Sequence, residues 1–229
     1  MRKNREIILA LDSSSVPLVM ALGFNGRVYC ARKSGVKQEE YLFPLIKKLL
    51  DKAGCSFKDI GRFFFIKGPG RFTGIRISLT LASMLKEFAH VEISSASVFD
   101  VLICQARQSA AYKKWLAAHP RGIAAVIMHA FRNEYFARIY DGFSGPAWVS
   151  GEELFSLLDG QNRPVFIIGR GAHGAPLRDF LPPRFTYAPR ALNIISPKTL
   201  LNFKPDCKQT SKEVLQPLYL KPARFELGK

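Results

Sequence analysis

Two short stretches carry residues whose type and spacing suit chemistry. Asp12 ends the apolar run Ile7–Leu11 and opens an Asp-Ser-Ser-Ser turn. A carboxylate there can hold magnesium beside a nucleotide. It can equally cap the turn through Ser13–Ser15. No lysine or glutamine follows in the turn to grip phosphate. The second stretch, "FFFIKGPGRFTGIRISLT", places Gly68, Pro69, Gly70, Arg71, Phe72, Thr73 and Gly74 between an apolar run and a helix-like pattern. Loops of this shape often hold phosphate, but no Lys-Ser/Thr follows the first glycine at P-loop spacing, and Gly74 falls one place late for G-x-G-x-x-G. Pro69 removes an amide donor, whereas Arg71 and a helix N-terminus favour an anion. The alternative is a tight strand-to-helix joint. There Gly68 and Gly70 permit unusual backbone angles, Thr73 caps the helix and Gly74 allows close approach.

The remaining candidates are bland. His90, His119, His129 and His173 include no pair at helical metal-site spacing, and H-E-x-x-H is absent. No G-x-S-x-G elbow supports a serine nucleophile. Cys30, Cys55, Cys104 and Cys207 form no Cys-x-x-Cys pair, so reduced thiols are expected. No metal site is predicted.

The elements that must position these residues read as an α/β pattern. Ile7–Leu11 reads as a strand covered on both faces. Leu18–Phe24 and Arg27–Lys33 flank Asn25-Gly26, a hairpin signal. Glu39–Ala53 has helical period, with Leu42, Leu45, Ile46, Leu49 and Ala53 on one stripe and Gly54 as the stop. Phe63–Ile66 is a strand, and Thr73–Phe88 a helix apolar on more than one side, which needs more than one covering surface. Val91–Ser94, Ile123–Met128, Glu134–Tyr140 and Val165–Ile168 read as strands; Val98–Arg107 and Glu152–Leu158 as helices. Pro182–Lys212 is polar and weakly periodic, and is expected to be irregular or a loosely held lid.

The chain has 229 residues and a formal net charge of +16. Its basic excess is spread along the length, which suits weak association with nucleic acid or an acidic protein. No apolar run reaches membrane-spanning length, and a cytoplasmic location is expected.

Taken in order, the motifs resemble those of the TsaB (YeaZ) family. "ILALDSSS" resembles its "LALDTS" opening, and "GPGRFTGIRIS" its most specific motif, GPGSFTGLRIG. "QEEYLFPLIKKLL" is similar to its first helix, "MHAFRNEYFARIYD" to its D-A-R-x-x-E-V-Y strand pair, "IIGRGA" to its G-[DN]-G-A turn, and "PLYLKPARFE" to its terminal P-x-Y-L-R.

The resemblance implies a two-lobed actin/Hsp70/sugar-kinase-like (ASKHA) fold, each lobe a mixed sheet with flanking helices. The expected lobes are residues 1–100, carrying the partner-binding helices, and 101–229. It implies a subunit without catalytic residues or cofactor. Such a subunit binds TsaD in the complex that forms N6-threonylcarbamoyladenosine at position 37 of tRNA, is joined by the ATPase TsaE, meets tRNA through the complex, and can pair with a second copy. Tyr41, Phe43 and Leu45 on the first helix and Ile75, Leu79 and Ser83 on the second are the expected partner contacts. Lys198, Lys204, Lys208 and Lys212 are candidate tRNA contacts. Asp12, Gly169 and Gly171 would be a vestigial nucleotide site.

Departures from the family pattern include Arg71 for a small residue, His129 for the aspartate of D-A-R with Phe131 and Arg132 following, and Arg170 for Asp or Asn. They add charge or bulk and argue against nucleotide binding. The alternative function, an ATP-binding kinase or ATPase of the same fold superfamily, needs Asp12 to hold magnesium and the turns near Gly68 and Gly169 to hold phosphates.

Overall fold

The structure is a computed structural model that describes residues 7–35, 37–141, 144–170, 181, 185–205 and 209–221. The chain divides into two compact units, Met1–Val101 with Ile195–Leu218, and Leu102–Ile194 with Tyr219–Lys229.

In the first unit, β1 (Ile7–Asp12), β2 (Leu18–Phe24), β3 (Arg27–Lys33), β4 (Ile60–Ile66) and β5 (Glu92–Ala96) form one sheet in the order β3-β2-β1-β4-β5. β1, β2 and β3 pair antiparallel, while β4 and β5 join in parallel. The β2–β3 turn is Asn25-Gly26, both at positive φ as that dipeptide demands.

Strand alternation divides the sheet's two coats. Ile7, Leu9, Leu11, Phe63 and Phe65 face a core closed by α1 (Gln38–Ala53) and α2 (Phe72–Ala89) through Leu42, Ile46, Leu49, Leu81 and Leu85. On the other face, α6 (Pro197–Asn202) lies on β1 and β2. Phe203, just past its end, packs its ring at a tilt against Phe64.

In the second unit, β6 (Ile123–Phe131), β7 (Glu134–Tyr140), β8 (Ala147–Ser150), β9 (Val165–Arg170) and β10 (Thr186–Tyr187) are ordered β10-β9-β6-β7-β8. β6, β7 and β8 pair antiparallel, and β9 and β10 join in parallel. Read from β8, this is the strand order of the first unit, so one topology is built twice. One face meets α5 (Gly151–Asp159) through Leu154 and Leu158. On the other, Tyr112 and Trp115 of α4 (Ala110–Ala118) contact Phe166. α3 (Val98–Gln108) runs from one unit into the other.

The C-terminal region differs from expectation. Ile195–Leu218 belongs to the first unit, within the 101–229 stretch read as the second lobe. Its described part is no loose lid. Leu200 is fully buried, Leu201 lies where a Cβ on Gly23 would touch it, and the Gln209 amide exchanges hydrogen bonds with the Ser95 backbone. α7 (Ser211–Leu215) buries Val214 in the core closed by α1 and α2. Weak periodicity hid this because α6 and α7 are too short to show a stripe.

Candidate functional site

The Asp12 turn and the glycine loop are joined to each other. Asp12 Oδ1 accepts the backbone N–H of Ser14 at 2.9 Å and its hydroxyl at 2.6 Å, and Oδ2 accepts Ser15 Oγ at 3.4 Å. The buried carboxylate is thus committed to its own turn. The backbone N–H of Arg71 donates to Ser14 O at 2.7 Å. Ser13 Oγ donates to Gly74 O at 2.7 Å and lies 2.5 Å from Ser78 Oγ.

The glycines admit backbone oxygens rather than a ligand. A Cβ on Gly70 would overlap Ser14 O, and one on Gly74 would overlap Ser13 O. At Gly68, φ is +118° and a Cβ would come within 2.6 Å of Leu218 O. A phosphate cradle needs convergent donors, but here carbonyl oxygens fill the turn. Thr73 is not the helix cap; α2 begins at Phe72 behind Arg71, whose backbone tie to Ser14 sets the start. In the second unit, the Gly169 N–H donates to Asn193 Oδ1 at 2.9 Å, and its missing Cβ leaves room for Ile127 O. Gly171 lies outside the described residues. Among the described residues, no three His, Cys, Asp or Glu side chains are grouped to hold a metal.

The expected partner contacts are spread around their helices. Ile75 is 1 % exposed and belongs to the core. Leu45 and Leu79 are partly buried against that core, and Ser83 is half-buried. Tyr41 lies toward β3, under Lys33 Nζ at 4.7 Å. Two residues on, at 3.6 residues per turn, Phe43 falls about 160° away from it around the helix. It is 49 % exposed, on the flank away from β3. α1 covers β2 and β3 while α2 covers β4 and β5, so that flank is on the α2 side.

The expected partner contacts left out three exposed apolar residues of α2. Phe88 is 84 % exposed, Phe72 49 % and Met84 45 %. Ile77, Leu81, Met84 and Phe88 recur at steps of four, three and four, one helical stripe running from the core at Leu81 into the open at Phe88. That spacing was the available signal. Phe72 was read as part of the glycine loop because the helix was started one residue late. Its ring lies under the Arg76 guanidinium at 4.0 Å. Lys198, Lys204 and Lys212 are exposed, and Lys208 lies outside the described residues.

The chain is similar to several proteins that share one name. A TsaB protein of Buchnera aphidicola from Schizaphis graminum is 33 % identical over 57 % of this chain and 60 % of its own length. The relative from the Acyrthosiphon pisum strain is 27 % identical over 67 % and 65 %. That of Bacillus subtilis is 26 % identical over 71 % and 70 %. All three are called tRNA threonylcarbamoyladenosine biosynthesis protein TsaB. These likenesses support the TsaB (YeaZ) family.

The match spans under two thirds of the two Buchnera TsaB proteins. A family model described as "TsaD: tRNA N6-adenosine threonylcarbamoyltransferase" matches residues 34–136. The fold is that of YeaZ from Pseudomonas aeruginosa, with a TM-score of 0.57, 21 % identity and 80 % and 82 % of the two chains covered. A second structure, described as an uncharacterized protein with similarity to peptidase YEAZ from that organism, gives 0.66 and 20 % over 94 % and 100 %. No described helix is long and apolar enough to cross a membrane.

Proposed function

We propose that this chain is a non-catalytic scaffold subunit that binds TsaD in the assembly forming N6-threonylcarbamoyladenosine on tRNA. The observation that carries the reading is the open apolar stripe of α2, ending in Met84 and Phe88, together with the exposed Phe43 of α1. Fully burying such a side chain contributes about 1.5–3 kcal/mol, so a few of them in the core of an interface can hold a stable complex. The same surface would serve a second copy in a homodimer. TsaE would join the assembled pair, and tRNA would be met in the complex.

The chemistry of transfer is assigned to the partner. TsaD proteins carry a metal-binding H-x-x-x-H, and this sequence has no histidine pair at that spacing. The ATP-binding alternative asks Asp12 for magnesium and the glycine turns for phosphate. The Asp12 carboxylate is committed to its own turn and the Gly169 N–H to Asn193. Calorimetry with Mg-ATP is expected to give no binding tighter than about 10 µM; tighter binding would favour the alternative.

Co-expression with a TsaD protein followed by sizing tests the main reading. The pair should co-elute, and Met84→Asp with Phe88→Asp should separate it. Co-elution undisturbed by those changes and by Phe43→Asp would place the interface elsewhere, and failure to co-elute at all would remove the reading.

A further inference from the structure

We propose that the tip of the β6–β7 hairpin is a nucleic-acid contact that takes an unpaired RNA base on the Phe131 ring and a phosphate on Arg132. It rests on the tRNA reading above and adds a contact on the second unit.

Three observations converge there. The first is exposure of a flat ring: Phe131 is 49 % exposed at the end of β6. The second is the charge around it. The Arg132 guanidinium lies 5.2 Å from the ring centroid and Lys221 Nζ 5.4 Å. Lys221 also sits 5.1 Å over the Trp148 ring and is held by Glu134, which accepts the Trp148 indole N–H at 3.2 Å. Glu134 interacts with both cations but offsets only one charge, so the tip keeps a net positive charge. The third is the turn itself. Arg132 occupies a left-handed position, φ +49°, where Asn or Gly would be cheaper. The His129 ring N–H holds the shape by donating from Nε2 to Arg132 O at 2.8 Å. An arginine kept in such a turn, beside an exposed ring on a chain of charge +16, suits a ligand offering both a π face and a negative charge. An unpaired nucleotide offers both. An acidic peptide offers only the second.

The test uses the purified chain and a fluorescein-labelled RNA hairpin with an unpaired loop, compared with the same RNA closed into a continuous duplex. The loop RNA should bind more tightly. Phe131→Ala should weaken loop binding by about 5- to 150-fold, the range of one lost base–aromatic stack, and abolish the preference over duplex. Arg132→Asn, which suits the turn better and so leaves the fold intact, should lower the slope of log K against log salt by about 1. Equal affinities for loop and duplex, or unchanged affinity and slope in both variants, would reduce the tip to part of a generally basic surface and overturn the proposal. Neither readout involves TsaD. Loss of hairpin-dependent RNA binding with TsaD pairing intact sinks this inference alone. Failed pairing with hairpin-dependent RNA binding intact sinks the scaffold reading alone.

Discussion

Gly74, in the first turn of α2, sits so close to the carbonyl oxygen of Ser13 that no Cβ fits between them. The contact explains the glycine by packing: α2 starts on the backbone of the β1–β2 turn, and the Ser13 hydroxyl returns a hydrogen bond to Gly74 O. The loop that looks like a phosphate cradle therefore serves to seat a helix, and that helix presents the open stripe.

Gly74→Ala should reverse the usual sign of a helix substitution. Alanine normally favours a helix by about 1 kcal/mol over glycine. Here the overlap with Ser13 O should destabilise by about 1–3 kcal/mol instead. Urea unfolding with an unchanged m-value measures it, and a stabilised variant would contradict the contact.

Core and surface of α2 should separate cleanly. Ile75→Ala, in the core, should cost about 2–5 kcal/mol of stability. Phe88→Asp, on an open position, should stay within about 0.5 kcal/mol while removing TsaD pairing. A large stability loss in Phe88→Asp would mean that the ring is covered within the folded chain.

Glu134 supplies a pH dependence. Its hydrogen bond from Lys221 holds its carboxyl below the usual range, with the Trp148 N–H and the nearby cations acting in the same direction. A depressed folded pKa contributes stability that is present above the unfolded carboxylate value, near 4.3, and is lost as pH falls through the folded one. Glu134→Gln should therefore lose stability relative to the parent at neutral pH, and the gap should close on acidification through that window. A gap independent of pH would remove the ion pair as its cause.

Leu200→Ala tests the placement of the C-terminal segment. Leu200 is fully buried in the first unit. The substitution should cost about 2–5 kcal/mol, and hydrogen exchange should quicken in β1 and β2, which α6 covers. Exchange unchanged in those strands would show that the segment adds nothing to the unit.

Much of the scaffold was legible. The apolar run before Asp12, the Asn25-Gly26 hairpin and the stripe of α1 each rest on near neighbours in the chain, where side-chain period and turn chemistry act directly. α4, β8 and β10 were not read. They are short, and the contacts that place α4 and β10 come from farther along the sequence: Trp115 meets Phe166, and β10 pairs β9. The same limit divided the expected contact residues. Period placed Tyr41, Phe43 and Leu45 on one helix, but only the sheet beneath decides that Tyr41 turns toward β3 and Phe43 away from it.

By itself the amino-acid order determined the types of the longer elements, the family motifs and the surplus of apolar positions on α2, because these depend on spacing within a few turns of chain. The tertiary structure alone decided that the Asp12 turn and the glycine loop close on each other, that Ile75 is core while Phe88 is open, and that Ile195–Leu218 returns to the first sheet. Each of those outcomes depends on which distant backbone or side chain occupies the adjoining space, and local period carries no record of that.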